Sequence, residues 1–370
     1  MGHVKNGAAW AIATILLLFA AGRSIFPGWA TARAGENPPG KKLPGQWIQV
    51  DTTAFDLPAA GGGLNTIWGT SATDIYVGGR EGFVLHYDGR KWREVETETK
   101  NDVIQIVGAS RKDVYLLTEG DNGMGLTREH GYVPPRQTST DTPVWTPYLF
   151  RLDGGKFVPF SIKQDTAGWW HAQKGIWAAS KNDLFIACAD GGEILHFDGQ
   201  NISRVYGYFS GLPWGRRPDQ IKGDELRLNA IWGAPPENIY AVGRDAARHV
   251  AIVRFDGKTW ARESVPETYG LPIISASSAK DIWASLLHFD GVKWSLKSGP
   301  KDGWGLVSLW TSGPAAVFGV AAGRVYFFDG IEWSIVYETM KNRLLGIWGS
   351  SPSDVWAVGD GGTILHYAGK

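Results

Sequence analysis

One phrase recurs along this chain, and it leaves few folds open. Its most regular marker is a pair of apolar or aromatic residues followed by Asp-Gly: HYDG at 86, RLDG at 151, HFDG at 196, RFDG at 254, HFDG at 288, FFDG at 327 and a degenerate HYAG at 366. Upstream of each stands an apolar-Trp-Gly step or a variant of it, IWG at 67, 231 and 347, IVG at 106, IWA at 176, LWT at 309 and the weak IISA at 273. Between the two lies a run of the type DVWAVG. Seven units result, the undistorted one repeating after 39 residues, from Phe327 to His366.

Each unit holds four short runs of alternating apolar residues separated by turn chemistry, which predicts four antiparallel strands, here called a, b, c and d. Asp-Gly after strand c is a tight-turn pair, because Gly accepts a positive φ at no steric cost. A unit this small has no core of its own, so neighbours must stack, and four strands at this period describe one blade of a β-propeller. The expected fold is therefore all-β: a seven-bladed β-propeller of four-stranded antiparallel blades.

The last unit has runs a, b and c but no d. Ahead of the first unit stands an orphan GQWIQV, with Trp47 and Val50 in the W-x-x-V positions of a d strand. The N-terminal strand is expected to complete the last blade and close the ring, leaving no free edge at the seam.

The phrase IWGSSPSDVWAVGDGGTILHYAGK, with variants such as IWGAPPENIYAVG and IWGTSATDIYVGG, resembles a repeat of exported bacterial β-propeller proteins across nearly everything after residue 45. FDGKTW at 255 is similar to the Asp-box of sialidase-like propellers, with one residue fewer between Asp and Gly. The resemblance implies the fold; propellers host enzymes, lectins and scaffolds alike.

The first residues read as Lys5, an apolar stretch from Ala8 to Ala21 and a small-residue site at Ala32, Arg33 and Ala34. That is a secretory layout, and an apolar run of about 14 residues is short for a bilayer span of about 20. Residues 1–34 are expected to be a signal peptide, with an uncleaved anchor as the alternative, followed by a linker at 35–46 and one propeller domain at 47–370. Secreted or periplasmic placement follows, or an outward-facing anchored form. A lone cysteine, Cys188, permits no intrachain disulfide. Lys plus Arg and Asp plus Glu both number 37, so the chain is not built to neutralise nucleic acid or an anionic membrane. A monomer is expected.

Of the 19 tryptophans, most fall in repeat frame, where a large flat ring fills the wedge between blades. Trp145, Trp169, Trp170, Trp214 and Trp304 do not. They lie in segments that lengthen the repeat: insertions at 119–147, 163–172 and 207–227, and the shorter 297–305. In an up-and-down blade the b–c turn and the d–a connection emerge on one face, and all of these segments are of those two kinds. Unit five, DIWASLLHFDG, lacks a Gly-rich b–c turn, so the face is lower there. Rigid scaffolds carry binding on such loops. Trp145, Trp169, Trp170, His171, Tyr208, Trp214, Arg216, Arg217 and Trp304 are the candidate ligand-binding residues, mixing rings with polar and cationic groups suited to a glycan or to a protein of the envelope or exterior.

No nucleophile elbow, H-E-x-x-H, P-loop or cysteine-based metal spacing occurs, so no catalytic residue, metal ligand or cofactor is assigned. His86, His196, His288 and His366 share one repeat position and read as structural. Asp74, Asp113, Asp183, Asp281 and Asp354, at the start of strand b, read as turn or hydrogen-bonding residues. The expected role is binding or scaffolding; the alternative is a glycosidase or lyase using irregular acids such as Glu119, Asp121 and Asp219 from the same loops, two of which would have to face each other across a cleft.

Overall fold

The computed structural model describes residues 43–58, 62–119, 149–160, 173–189, 192–207, 226–234 and 237–369. Within them the chain forms seven four-stranded antiparallel sheets. Blade 1 is β2 (Leu64–Ser71), β3 (Asp74–Gly79), β4 (Val84–Tyr87) and β5 (Trp92–Glu94); blade 2 is β6 (Val103–Ser110), β7 (Asp113–Thr118), β8 (Leu149–Asp153) and β9 (Lys156–Pro159). Blade 3 is β10 (Gln173–Ser180), β11 (Asp183–Cys188), β12 (Ile194–Phe197) and β13 (Ile202–Tyr206); blade 4 is β14 (Arg227–Gly233), β15 (Ile239–Arg244), β16 (Val250–Phe255) and β17 (Trp260–Arg262). Blade 5 is β18 (Ile274–Ser278), β19 (Asp281–Ala284), β20 (Leu287–Phe289) and β21 (Trp294–Leu296), and blade 6 is β22 (Ser308–Thr311), β23 (Val317–Ala321), β24 (Arg324–Phe328) and β25 (Trp333–Glu338). Blade 7 runs β26 (Leu344–Ser351), β27 (Asp354–Gly359), β28 (Thr363–Gly369) and then β1 (Gly45–Gln49), which pairs Trp47 with Tyr367 and Ile48 with His366.

That closure explains the degenerate HYAG. In five of the other blades the Asp of Asp-Gly accepts two backbone N–H groups across the c–d turn, as Asp88 Oδ1 does from Arg90 and Lys91 at 2.9 Å each. These bonds to the ionised form hold the Asp88 carboxyl below the usual carboxylate range. In blade 7 the chain makes no such turn, and Ala368 lies opposite Gln46 of the incoming strand.

Tryptophan and glycine of the Trp-Gly step serve different blades. A Cβ added to Gly69 would stand 2.9 Å from the Trp348 ring of blade 7, one on Gly108 2.5 Å from Trp68 of blade 1, and one on Gly349 2.9 Å from Trp310 of blade 6. Gly233 meets Trp177 of blade 3 in the same way. Where the ring is absent, the glycine is too: Val107 of blade 2 shares a cluster with Ala178 of blade 3, and Ser275 of blade 5 accepts the N–H of Thr311 of blade 6. The innermost strand edges are joined by side chains as well. Gln105 accepts the N–H of Ile176 at 2.8 Å and donates to its carbonyl at 3.1 Å.

The periodic histidines and aspartates are one another's partners. His86 Nε2 is 2.8 Å from Asp74, His196 2.6 Å from Asp183, His288 2.7 Å from Asp281 and His366 2.7 Å from Asp354. In blades 1, 5 and 7 a hydroxyl from the end of strand a donates to the other carboxylate oxygen: Thr70 to Asp74, and at 2.5 Å Ser277 to Asp281 and Ser350 to Asp354. Each imidazole also lies on the aromatic residue directly across strand b, Tyr76, Phe185, Trp283 or Trp356. Burial and the charge of Asp74 push the Tyr76 hydroxyl up to about 12. Blade 4 carries the same register with Asn238 and Arg254 (2.6 Å), and blade 6 replaces it with Phe318 and Phe327, whose rings meet at a tilt. These histidines are structural, as their periodicity implies.

Candidate functional site

Because every sheet is a simple meander, b–c turns and d–a connections share one face. Blade 5 is lowest there: β19 and β20 are joined by Ser285 and Leu286 alone, and Ser285 takes φ 56°. Two d–a connections border this notch, and a third lies next to the second, over blade 6.

The first, between β17 and β18, is held by Arg244, whose Nε and Nη2 donate to the Gly270 carbonyl at 3.0 and 2.6 Å. The Ser285 hydroxyl donates to the Leu271 carbonyl. The backbone of this connection is thus pinned while Tyr269 stands 69% exposed and Leu271 41%. Tyr269 leans edge-on against His249.

The second connection, SGPKDGWG, is set by Asp302. One carboxylate oxygen accepts the backbone N–H of Trp304 at 3.3 Å, and the other accepts the Tyr326 hydroxyl and an Arg324 N–H, both at 2.7 Å. Arg324 is fixed in turn by Glu338 at 2.6 Å. Trp333 Nε1 donates to the Ser298 carbonyl, and Lys301 pairs with Glu332. The ring of Trp304 remains 52% exposed. It forms a shared wall between two hollows of about 240 Å³, one floored by Leu271, Leu286 and Leu306, the other by Met340 and the Arg324–Glu338 pair.

The third connection, residues 339–343, presents Met340 at 73% exposure and is tied down by Arg343 on Asp360 (2.7 Å) and by Asn342 on Thr363 (2.8 Å). Tyr269, Leu271, Trp304 and Met340 thus line one arc of the face, over blades 5 and 6. A wide, pre-set, half-apolar surface of this kind binds by burying rings and aliphatic groups, with little ordering cost.

Of the residues chosen from sequence, Trp304 takes its place in this arc. Trp145, Trp169, Trp170, His171, Tyr208, Trp214, Arg216 and Arg217 lie outside the described residues, as do most of the irregular acids. Tyr269, Leu271 and Met340 were not chosen: residues 263–273 form a connection as long as residues 297–307 but without a tryptophan, and residues 339–343 form a short one; the signal was an apolar side chain at the crest of a d–a connection. The central hollow, about 480 Å³, is lined by strand a of every blade, and its Gln105, Ser275 and Ser308 side chains are engaged in bonds to the next blade. Among the described residues no three His, Cys, Asp or Glu side chains gather as a metal site would require.

No family model matches the chain. A curated relative, the immune protein Tsi7 of Pseudomonas aeruginosa, is 26% identical over 172 residues, 43% of this chain, which spans about half (55%) of that relative's length. Among solved structures the chain is similar to virginiamycin B lyase of Staphylococcus aureus (TM-score 0.61, 11% identity, 88% of this chain and 99% of that one). It is also similar to YCF48 of Cyanidioschyzon merolae (TM-score 0.56, 14% identity, 87% and 98%) and to YCF48 bound to D1 peptide (TM-score 0.56, 12%, 92% and 100%). At these identities the likeness is one of architecture, and the seven four-stranded sheets give its kind: the chain is a seven-bladed β-propeller.

Proposed function

We propose that this chain is an exported, non-enzymatic recognition propeller that binds a segment of a partner protein on the face formed by its b–c turns and d–a connections. The observation that carries this reading is the arc of Tyr269, Leu271, Trp304 and Met340, which runs from the blade 5 notch over blade 6 on a base fixed by Asp302, Arg324 and Arg244. Exposed Trp and Tyr on a rigid base are the residues that dominate protein–protein hot spots. The peptide-bound YCF48 neighbour shares the architecture.

The test is affinity capture from extract of the source cells with wild type, Trp304→Ala, Tyr269→Ala and, on the opposite face, Arg90→Ala. A protein retained by wild type and Arg90→Ala but lost with the two arc variants supports the reading. Capture indifferent to both arc variants, or saturable binding of a polysaccharide with no protein retained, overturns it.

A further inference from the structure

All but Ile48 of the exposed large hydrophobic side chains among the described residues lie between Tyr269 and Met340. In a sevenfold repeat that concentration marks blades 5 and 6. Four of these side chains belong to the arc already described. The other three, Val292 at 86% exposure, Leu296 at 48% and Ile331 at 83%, do not. Val292 and Ile331 occupy the position after Asp-Gly in the c–d turn, where the other complete units have Arg90, Gly155, Gln200 and Lys258. Leu296 ends β21, the outermost strand of blade 5.

Strand β21 has a neighbour on one side only. Lys297 N–H bonds the Leu286 carbonyl, and Asp290 N–H bonds the Lys293 carbonyl. Pairing alternates along an antiparallel ladder, so the N–H and C=O of Trp294 and Leu296 point away from β20 to the open side. Around this edge stand Lys280, Lys293 and Lys297. Lys280 packs beneath the turn at Gly291, where an added Cβ would meet its own Cβ at 2.9 Å. No acidic side chain among the described residues forms an ion pair with these three lysines, whereas Lys301 is taken by Glu332.

We infer that the outer edge of blade 5 is a second docking surface, which takes an extended, acidic segment of a partner protein with apolar residues at alternate positions. Such a strand would continue the sheet through the backbone of Trp294 and Leu296, set carboxylates against Lys280, Lys293 and Lys297, and cover Val292 and Leu296. A second copy of this chain does not fit, because lysines would oppose lysines across the joined edges. An anionic bilayer fits less well: it uses none of the open backbone groups, and a chain of zero net charge has no bulk attraction to it.

The experiment uses the full chain and three probes: a fluorescein-labelled peptide of alternating glutamate and valine, its lysine-for-glutamate counterpart, and vesicles of phosphatidylglycerol. The acidic peptide is expected to bind saturably. Lys293→Glu with Lys297→Glu should weaken it about tenfold or more, and Leu296→Pro, which removes an outward N–H from an edge strand that tolerates proline, should weaken it independently. Trp304→Ala should leave it unchanged, so loss of the Trp304 face reading and loss of this one are separable. Equal binding of both peptides, vesicle binding without peptide binding, or no saturable binding of the acidic peptide overturns the inference.

Discussion

His366 lies flat on Trp356, with ring centroids 3.7 Å apart and planes 10° from parallel, while its Nε2 reaches Asp354 at 2.7 Å. Burial alone would raise the Asp354 carboxyl, but bonds from His366, Ser350 and Trp356 outweigh it and hold the group below its usual value. A depressed carboxylate contributes stability above the unfolded value of about 3.9 and loses it as pH falls through the folded one. Asp354→Asn is therefore expected to cost about 1–3 kcal/mol near neutral pH. Denaturant titrations should show the gap between variant and wild type narrowing as pH is lowered below the ordinary carboxylate range. A gap independent of pH would contradict the assignment.

The Trp348–Gly69 contact predicts a coupled pair. Gly69→Ala places a methyl 2.7 Å from the Asp74 carbonyl oxygen and 2.9 Å from the Trp348 ring, and overpacking of this kind costs about 1–3 kcal/mol. The chain already contains the relaxed version in Val107 and Ala178. Combining Gly69→Ala with Trp348→Val should be less damaging than the sum of the two single changes, by about 0.5 kcal/mol or more. Strict additivity in a double-mutant cycle would mean that the ring and the glycine do not share their space.

Seam closure predicts that strand β1 acts on the whole ring. Trp47 packs against Tyr337 of blade 6 and Tyr367 of blade 7, and Thr52 donates to the Gly362 carbonyl at 3.0 Å. Removing residues 45–52 should lower the melting temperature by many degrees, and Trp47→Ala should destabilise by about 3 kcal/mol. A melting curve unchanged by the deletion would refute closure.

At Trp304 stability and binding should separate. The half-exposed ring lies outside the repeat core, so Trp304→Ala is expected to change folding stability by no more than about 0.5 kcal/mol. As a hot spot it should cost about 2 kcal/mol or more in partner affinity. Asp302→Ala, which frees the backbone beneath the ring, should weaken binding less than Trp304→Ala does while leaving the ring present. Equal stability losses and binding losses across the two variants would return Trp304 to a packing role.

Repeat physics made the fold readable. Asp-Gly at 88, 198, 256, 290 and 329 announces a turn by local chemistry, and GQWIQV matches a missing d strand in its Trp47 and Val50. Pairing of Asp74 with His86 and of Asp281 with His288 was hidden, because b–c turns of different length put the partners 12 and 7 residues apart. The Trp-Gly step concealed that its two residues face different blades, which no spacing along one unit reveals. At the candidate site Trp304 stood out as a tryptophan off the repeat frame. Tyr269 and Met340 did not, because their connections carry no tryptophan and their exposure is set by anchors read only in three dimensions: Arg244 and the short turn at Ser285 for Tyr269, and the Arg343–Asp360 pair for Met340.

The most direct measurement is photo-crosslinking in the source cells, with a photoreactive amino acid placed at position 304 and, on the opposite face, at position 90. Recognition through the notch predicts one discrete crosslinked protein from position 304 and none from position 90. A partner caught only at position 90, or at neither position, would contradict it.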